Sequence, residues 1–315
     1  MCFQGGTSII NAGLLEDDLQ KKQLGLLLMS ISAIGLGVTT ILMKILPAES
    51  GMTPGQIAVW RFLIAAPLMW LLTMVQKKDK NVIPDKMGWL IALGGIYSMA
   101  SLFALLALRR LPSSIYVIIL FFYPSLVVIY HLLRRKPVPR LWWLGLPMTV
   151  IGLILTVAQF GQPVELDLLG ILLTVLNGLA IIAYTLLSEK VFAGMGDRQL
   201  GSTWVMTGAM MIGLGLIALY GFAMPQSLMG WVYLLTLGVV GTLIPIYAMN
   251  VGIQMLGSAR SSVVSTLQPV VAVLASTIFL NEELTPCQWL GGAIVIIAIV
   301  LLQRSPDAHS GIRGE

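Results

Sequence analysis

The chain has 315 residues, 57% of them apolar and only 10% charged, where a water-soluble domain carries about a quarter. Its 19 Lys and Arg and 14 Asp and Glu are too few to cover a soluble surface of this size, and Cys2 and Cys287 are the only cysteines. Disorder, a collagen repeat and a disulfide scaffold are therefore excluded, and the net charge of +5 reads as a topology signal because the cations fall between apolar stretches.

The predicted elements follow in chain order. Residues 1–23 form a short polar tail, with Glu16, Asp17 and Asp18 ahead of Lys21 and Lys22 and no basic start and apolar middle of a cleaved signal. Apolar stretches long enough for helices that cross a bilayer then run over 24–46, 55–76, 87–108, 112–133, 141–160, 168–190, 199–221, 229–255, 259–280 and 285–303. The remainder, 304–315, is a second tail. These ten spans leave loops too short for a soluble catalytic domain.

Counting cations in alternate loops tests that map. With the N-terminus inside, Lys21, Lys22, Lys77, Lys78, Lys80, Lys86, Arg134, Arg135, Lys136, Arg140, Lys190, Arg198, Arg260, Arg304 and Arg313 fall on the cytoplasmic side. Lys44, Arg109 and Arg110 fall on the other, and Arg61 lies inside the second span. Fifteen against three predicts both termini in the cytoplasm of a bacterial-type plasma membrane.

The two halves repeat. A shift of 145 places Gly170 on Gly25, Leu256 on Leu111 and Pro269 on Pro124, and a shift of 146 places Trp289, Leu290 and Gly291 on Trp143, Leu144 and Gly145. The halves are 24–160 and 161–303. Each has five spans, an odd number, so the second must enter the membrane from the opposite side, which is the inverted repeat of many secondary transporters. The expected fold is all-α and integral to the membrane, with ten helices in two inverted five-helix repeats.

A resemblance sharpens this expectation. The run Leu280, Asn281, Glu282, Glu283, Leu284, Thr285, followed by Gln288, Leu290 and Gly291, is similar to the closing motif of EamA-type permeases of the drug/metabolite transporter superfamily. Lys44 ending the first span, Pro54 opening the second, and Arg61, Phe62 and Leu63 resemble that family's first hairpin. The resemblance implies a ten-helix basket around a central cavity, peripheral fifth and tenth helices, and export or exchange of small metabolites. Asn281 stands where the family commonly has Gly, and Lys136 stands at the first-half equivalent of Glu282. Glu282 is accordingly read as an end-of-helix anchor.

No Asp or Glu lies in the middle of a span; the nearest is Glu189 beside Lys190. That argues against a buried carboxylate relay. His131, near the end of the fourth span, reads as an interfacial group. Arg61 lies about seven residues into its span, where a charge must pair, snorkel or face water. Two readings stand open: a snorkelling structural cation, or an outer cationic set of Lys44, Arg61 and Arg109 that attracts a substrate anion.

Neutral polar residues recur at helical spacing, which places them on one face. Asn177 and Tyr184 are seven apart and fall on Ser32 and Thr39 in the repeat. Ser261, Ser265 and Gln268 are matched by Tyr116, Leu120 and Tyr123, and Tyr97 with Ser101 and Tyr247 with Asn250 and Gln254 continue the pattern. They line a midplane pocket or serve as hydrogen bonds between helices. Of the span prolines Pro67, Pro124, Pro147, Pro245 and Pro269, the matched pair Pro124 and Pro269 is the hinge candidate, and small residues such as Gly35, Gly37, Gly94, Gly95, Gly238 and Gly241 allow close helix contact.

The expected function is alternating-access transport of a small neutral or zwitterionic, amino-acid-like metabolite, with export the direction the resemblance implies. The alternative is exchange of an anionic metabolite at Lys44 and Arg61, or a membrane protein that does not transport. An intramembrane enzyme is disfavoured, since the sequence has no HExxH and only His131 and His309. The expected partners are the small-molecule substrate and lipid, with no nucleic acid, no metal and no cofactor; a monomer is possible.

Overall fold

The computed structural model describes residues 5–76, 84–111, 113–134, 142–157, 167–280 and 285–303. Cys2, Lys136, Glu282 and His309 lie outside the described residues, and Lys44 falls on a described helix with its side chain outside them. The described residues form helices joined by short turns, with no strand among them.

The first half has α1 (Gly5–Ser50), α2 (Pro54–Gln76), α3 (Met87–Leu108), α4 (Ser113–Leu120), α5 (Tyr123–Leu133) and α6 (Trp142–Val157). The second has α7 (Leu168–Phe192), α8 (Arg198–Tyr220), α9 (Leu228–Gly238), a π-helical turn over Val239–Leu243, α10 (Ile244–Leu256), α11 (Ser258–Val264), α12 (Leu267–Leu280) and α13 (Pro286–Gln303). Among the described residues, seven helical stretches are long and apolar enough to cross a membrane, and Trp142–Thr156 and Pro286–Leu301 are shorter apolar helices.

Local chemistry explains the starts and breaks. Asp167 accepts from Leu169 N and Gly170 N at the start of α7, Asp197 from Leu200 N before α8, and Ser227 from Gly230 N before α9, each satisfying amides that a first turn leaves open. Gly257, at φ +79°, lets the chain turn directly from α10 into α11, a conformation that a side chain would strain.

Several predicted boundaries are corrected. The first helix runs from Gly5 to Ser50 and absorbs much of the predicted tail, while its membrane-crossing part is Leu19–Met43. The fourth predicted span is two helices, broken at Phe121–Phe122, and the ninth is broken at Ser265–Thr266. Pro124 and Pro269 lie in the first turns after these breaks, where a missing N–H costs little. The eighth span is interrupted by the π-helical turn, just ahead of Pro245.

The halves interlock. The principal packing partners are α3 with α7 and α8, α1 with α10 and α12, α2 with α8, and α6 with α13. Each pair joins one half to the other. Exchanging the halves turns the α1–α10 contact into α7–α3, and leaves α2–α8 and α6–α13 unchanged, as a twofold relation requires.

Glycines make these contacts close. A Cβ on Gly25 would meet Leu256 Cγ at 2.9 Å, and one on Gly170 would meet Leu111 Cγ at 2.7 Å, so the same contact occurs once in each half. Between α3 and α8, a Cβ on Gly94 would lie 1.9 Å from the Val205 carbonyl oxygen, and one on Gly208 would lie 2.1 Å from that of Ile91. Between α6 and α13 a Cβ on Gly291 would lie 2.3 Å from Thr156 N.

Candidate functional site

Helices from both halves bring a set of buried polar side chains together. Asn177 Nδ2 on α7 donates to the Tyr116 hydroxyl on α4 at 2.6 Å. Two turns further along α7, the Tyr184 hydroxyl donates to Asn250 Oδ1 on α10, and Asn250 Nδ2 donates to Ser202 Oγ on α8 at 3.3 Å. The Tyr97 and Tyr184 rings lie 5.3 Å apart, and Phe62 meets Tyr97 edge-on at 6.2 Å.

Arg61 closes this set. It is 4% exposed, about 10 Å along α2 from Pro54 at 1.5 Å per residue. Its Nε donates to Thr242 Oγ1 at 3.2 Å, its guanidinium carbon lies 5.0 Å from the Phe62 ring centroid, and it lies against the Tyr97 hydroxyl. Thr242 is held by its own bond to the Leu237 carbonyl at 2.8 Å, five residues back, which is the hydrogen-bond step of the π-helical turn. Thr39 on α1 donates to the Gly241 carbonyl of that turn at 2.8 Å. The turn thus bulges a hydroxyl toward the guanidinium.

Of the residues predicted to line a pocket, Tyr97, Tyr116, Asn177, Tyr184 and Asn250 join this network directly. Thr39 braces the π-helical turn, Ser32 is buried, and Tyr247 packs with Phe62 and Met206. Tyr123 and Ser265 flank the two helix breaks, the Ser265 hydroxyl donates to the Ser261 carbonyl at 2.9 Å, and Gln268 is half-buried one turn on. Within the network, Tyr116 and Asn177, and Tyr184 and Asn250, bond each other directly. The open cleft lined by Lys22, Trp142, Arg260 and Ile299 borders none of them.

Of the predicted outer cations, Arg109 stands apart from Arg61, and the Lys44 side chain lies outside the described residues. Arg109 is exposed, twelve residues beyond Tyr97 along α3 and its end, or about 18 Å from the level of Arg61. Arg61 is too buried to snorkel. His131, expected at the interface, is instead buried, with Nε2 2.8 Å from Ser258 Oγ and 3.9 Å from Glu189 Oε2. Ser258 Oγ also donates to Glu189, whose carboxylate accepts from Ser258 N at 3.2 Å. This cluster ties α5, α7 and α11 at one end of the bundle.

Sequence reasoning missed Ser202 and Thr242. Ser202 sits among Arg198, Gln199 and Thr203 at the polar start of α8, where polar residues read as a helix end, and Thr242 is a lone hydroxyl in an apolar run that meets Arg61 from within the π-helical turn. Gln254, grouped by spacing with Asn250, instead donates to the Phe192 carbonyl at 2.6 Å.

At the helix end that leads into this region, Asp167 pairs with Arg110 at 2.9 Å. The Arg110 guanidinium, with the amides of Gly170 and Leu169, holds the Asp167 carboxyl below the usual carboxylate range.

Interlocked apolar helices around a buried, mostly uncharged polar core define a multi-pass membrane protein. The profile of the EamA-like transporter family matches residues 23–158 and again 168–304. The chain belongs to that family, and it is a membrane transporter of the EamA kind. It is 25% identical over 222 residues to an uncharacterized transporter of Archaeoglobus fulgidus, covering 70% of this chain and 77% of that one. It is also 25% identical over 267 residues to the uncharacterized transporter YcbK of Bacillus subtilis, covering 80% and 84%. A solved protein structure shares the fold with a TM-score of 0.72 at 15% identity, over 91% of this chain and 96% of that one.

Proposed function

We propose that the protein exports a small zwitterionic, amino-acid-like metabolite across a bacterial-type plasma membrane by alternating access, with both termini cytoplasmic. The observation that carries this reading is the buried network of Tyr97, Tyr116, Asn177, Tyr184, Ser202 and Asn250, drawn from five helices of both halves. Hydroxyls and amides offer both donors and acceptors, so they suit a ligand that carries both charges with little net charge, and the tyrosine rings provide apolar walls. Buried polar groups in a membrane are costly unless satisfied. Here most of them pair with one another in the packed state, while Asn177 Oδ1 is buried without a partner among the described residues, and a ligand with matching donors and acceptors replaces those bonds and supplies the missing one.

The breaks at Phe121–Phe122 and Ser265–Thr266, each followed by a proline, support bending on both sides of the site. Cation placement along the sequence supports the orientation. Reconstituted protein tests the reading directly: liposomes preloaded with a labelled amino-acid mixture should lose label faster than protein-free liposomes, and a Tyr184→Ala, Asn250→Ala double variant should not. Equal loss from liposomes with and without protein would reject amino-acid-like substrates.

A further inference from the structure

We infer that Arg61 is the anchor for a substrate carboxylate, so that the substrate class is the monocarboxylates and the free carboxylate is an obligatory recognition element. This rests on the transport reading above and goes beyond it by assigning one residue and one functional group.

Every contact of Arg61 is with a neutral group: the Thr242 hydroxyl, the Tyr97 hydroxyl and the Phe62 ring. None of the described acidic side chains pairs with it. A charge buried without a counter-charge is among the most expensive features a membrane protein can hold, and such residues pair with one another, with carbonyls or with what passes through. The other partly buried acid inside a span, Glu189, is engaged by Ser258 at the opposite part of the fold.

Proton placement shows what Arg61 has left to give. Thr242 uses its hydroxyl hydrogen on the Leu237 carbonyl, so its lone pair accepts from Arg61 Nε. That contact fixes the plane of the guanidinium through Nε and leaves donors of the terminal fork, which match the two oxygens of a carboxylate. Arg61 is the only Lys or Arg among the buried described residues. One positive charge neutralises a carboxylate, whereas a phosphate monoester would bring a second negative charge with no other buried cation among the described residues to meet it. Beside the guanidinium, Phe62, Met206 and Leu243 belong to one buried apolar cluster with Tyr97 packed against it, which suits the hydrocarbon part of the ligand.

The test uses full-length protein in liposomes, with efflux of labelled L-leucine competed by L-leucinamide, 4-methylpentanoate and glycerol phosphate, alongside Arg61→Lys and Arg61→Met. Hydrogen bonds to a charged group correspond to about a tenfold or larger change in affinity. Leucinamide should therefore compete about tenfold or more weakly than leucine, 4-methylpentanoate should compete, and Arg61→Lys should raise the half-saturating leucine concentration by a similar factor. Competition by leucinamide as strong as by leucine, stronger competition by glycerol phosphate, or an unchanged half-saturation in Arg61→Lys would overturn the assignment.

Ligand-induced thermal shifts of purified protein cover the case in which Arg61→Met folds poorly or leucine does not move. A shift with 4-methylpentanoate in the wild type and Arg61→Lys variant, weaker in the latter, upholds the anchor even if amino-acid efflux fails. No shift with any monocarboxylate and no efflux would reject both readings.

Discussion

Asn250 joins three helices, because its amide accepts from Tyr184 and donates to Ser202, linking α7, α8 and α10. Tyr184→Phe keeps the ring stack and removes one donor. It should lower stability by about 1 kcal/mol, the ordinary worth of such a bond, and slow transport more than that loss explains; a thermal melt and an efflux assay on the same preparation check both. Asp167 offers a pH test. Its carboxyl is held low by Arg110, so the ionised form stabilises the fold above the unfolded value of about 3.9 and that contribution disappears as pH falls through the lower folded value. Asp167→Asn keeps a capping oxygen and loses the charge. The melting-temperature gap between the two proteins should be open at neutral pH and close in acid, and a gap independent of pH would contradict it. Residue spacing made Asn177, Tyr184 and Asn250 legible in the sequence, since polar side chains one or two turns apart announce a shared face. It left Thr242 hidden, because a lone hydroxyl has no periodicity, and Ser202, because polar residues at the start of α8 read as a helix end. It also underrated the burial of His131, whose partners Ser258 and Glu189 come from distant segments.

At the scale of elements, helix positions were legible from hydropathy, whereas breaks within helices were not. Pro124 and Pro269 marked where the fourth and ninth spans divide, but the π-helical turn at Val239–Leu243 has no proline inside it and changes no hydropathy. The interface of α3 and α8 is the strictest test of packing. Gly94→Ala or Gly208→Ala sets a methyl group against a backbone carbonyl, an atom that cannot rotate away. Each should destabilise the protein by about 1–3 kcal/mol, the usual cost of overpacking, seen as a lower melting temperature in detergent. Gly178→Ala, buried but with nothing within 4 Å of the added methyl, serves as the control and should be close to neutral.

For the whole molecule, interlocking has a direct consequence. Since the main contacts of α1, α2 and α3 are with the second half, each half is packed mainly against the other, and even the first-half cluster around Tyr116, Phe121 and Leu153 is covered by Leu173, Ile181 and Leu186 of α7. Separate expression of 1–160 and 161–315 should give protease-sensitive products, while co-expression should restore a complex that co-purifies and resists protease. Stable, monodisperse halves would contradict this. The repeat itself was legible as residue matches, yet its physical meaning was not: the matches Gly25 with Gly170 and Leu256 with Leu111 are two copies of one contact between the halves.

The same shift that superposes those contacts sets Arg61 over Met206. Duplication supplied a scaffold with two related faces, and here they differ most in charge, a buried cation on one side of the pseudo-axis and a thioether on the other. The centre of the fold is therefore lopsided, charged toward one half and neutral toward the other, inside an architecture whose two halves otherwise match one family profile in turn.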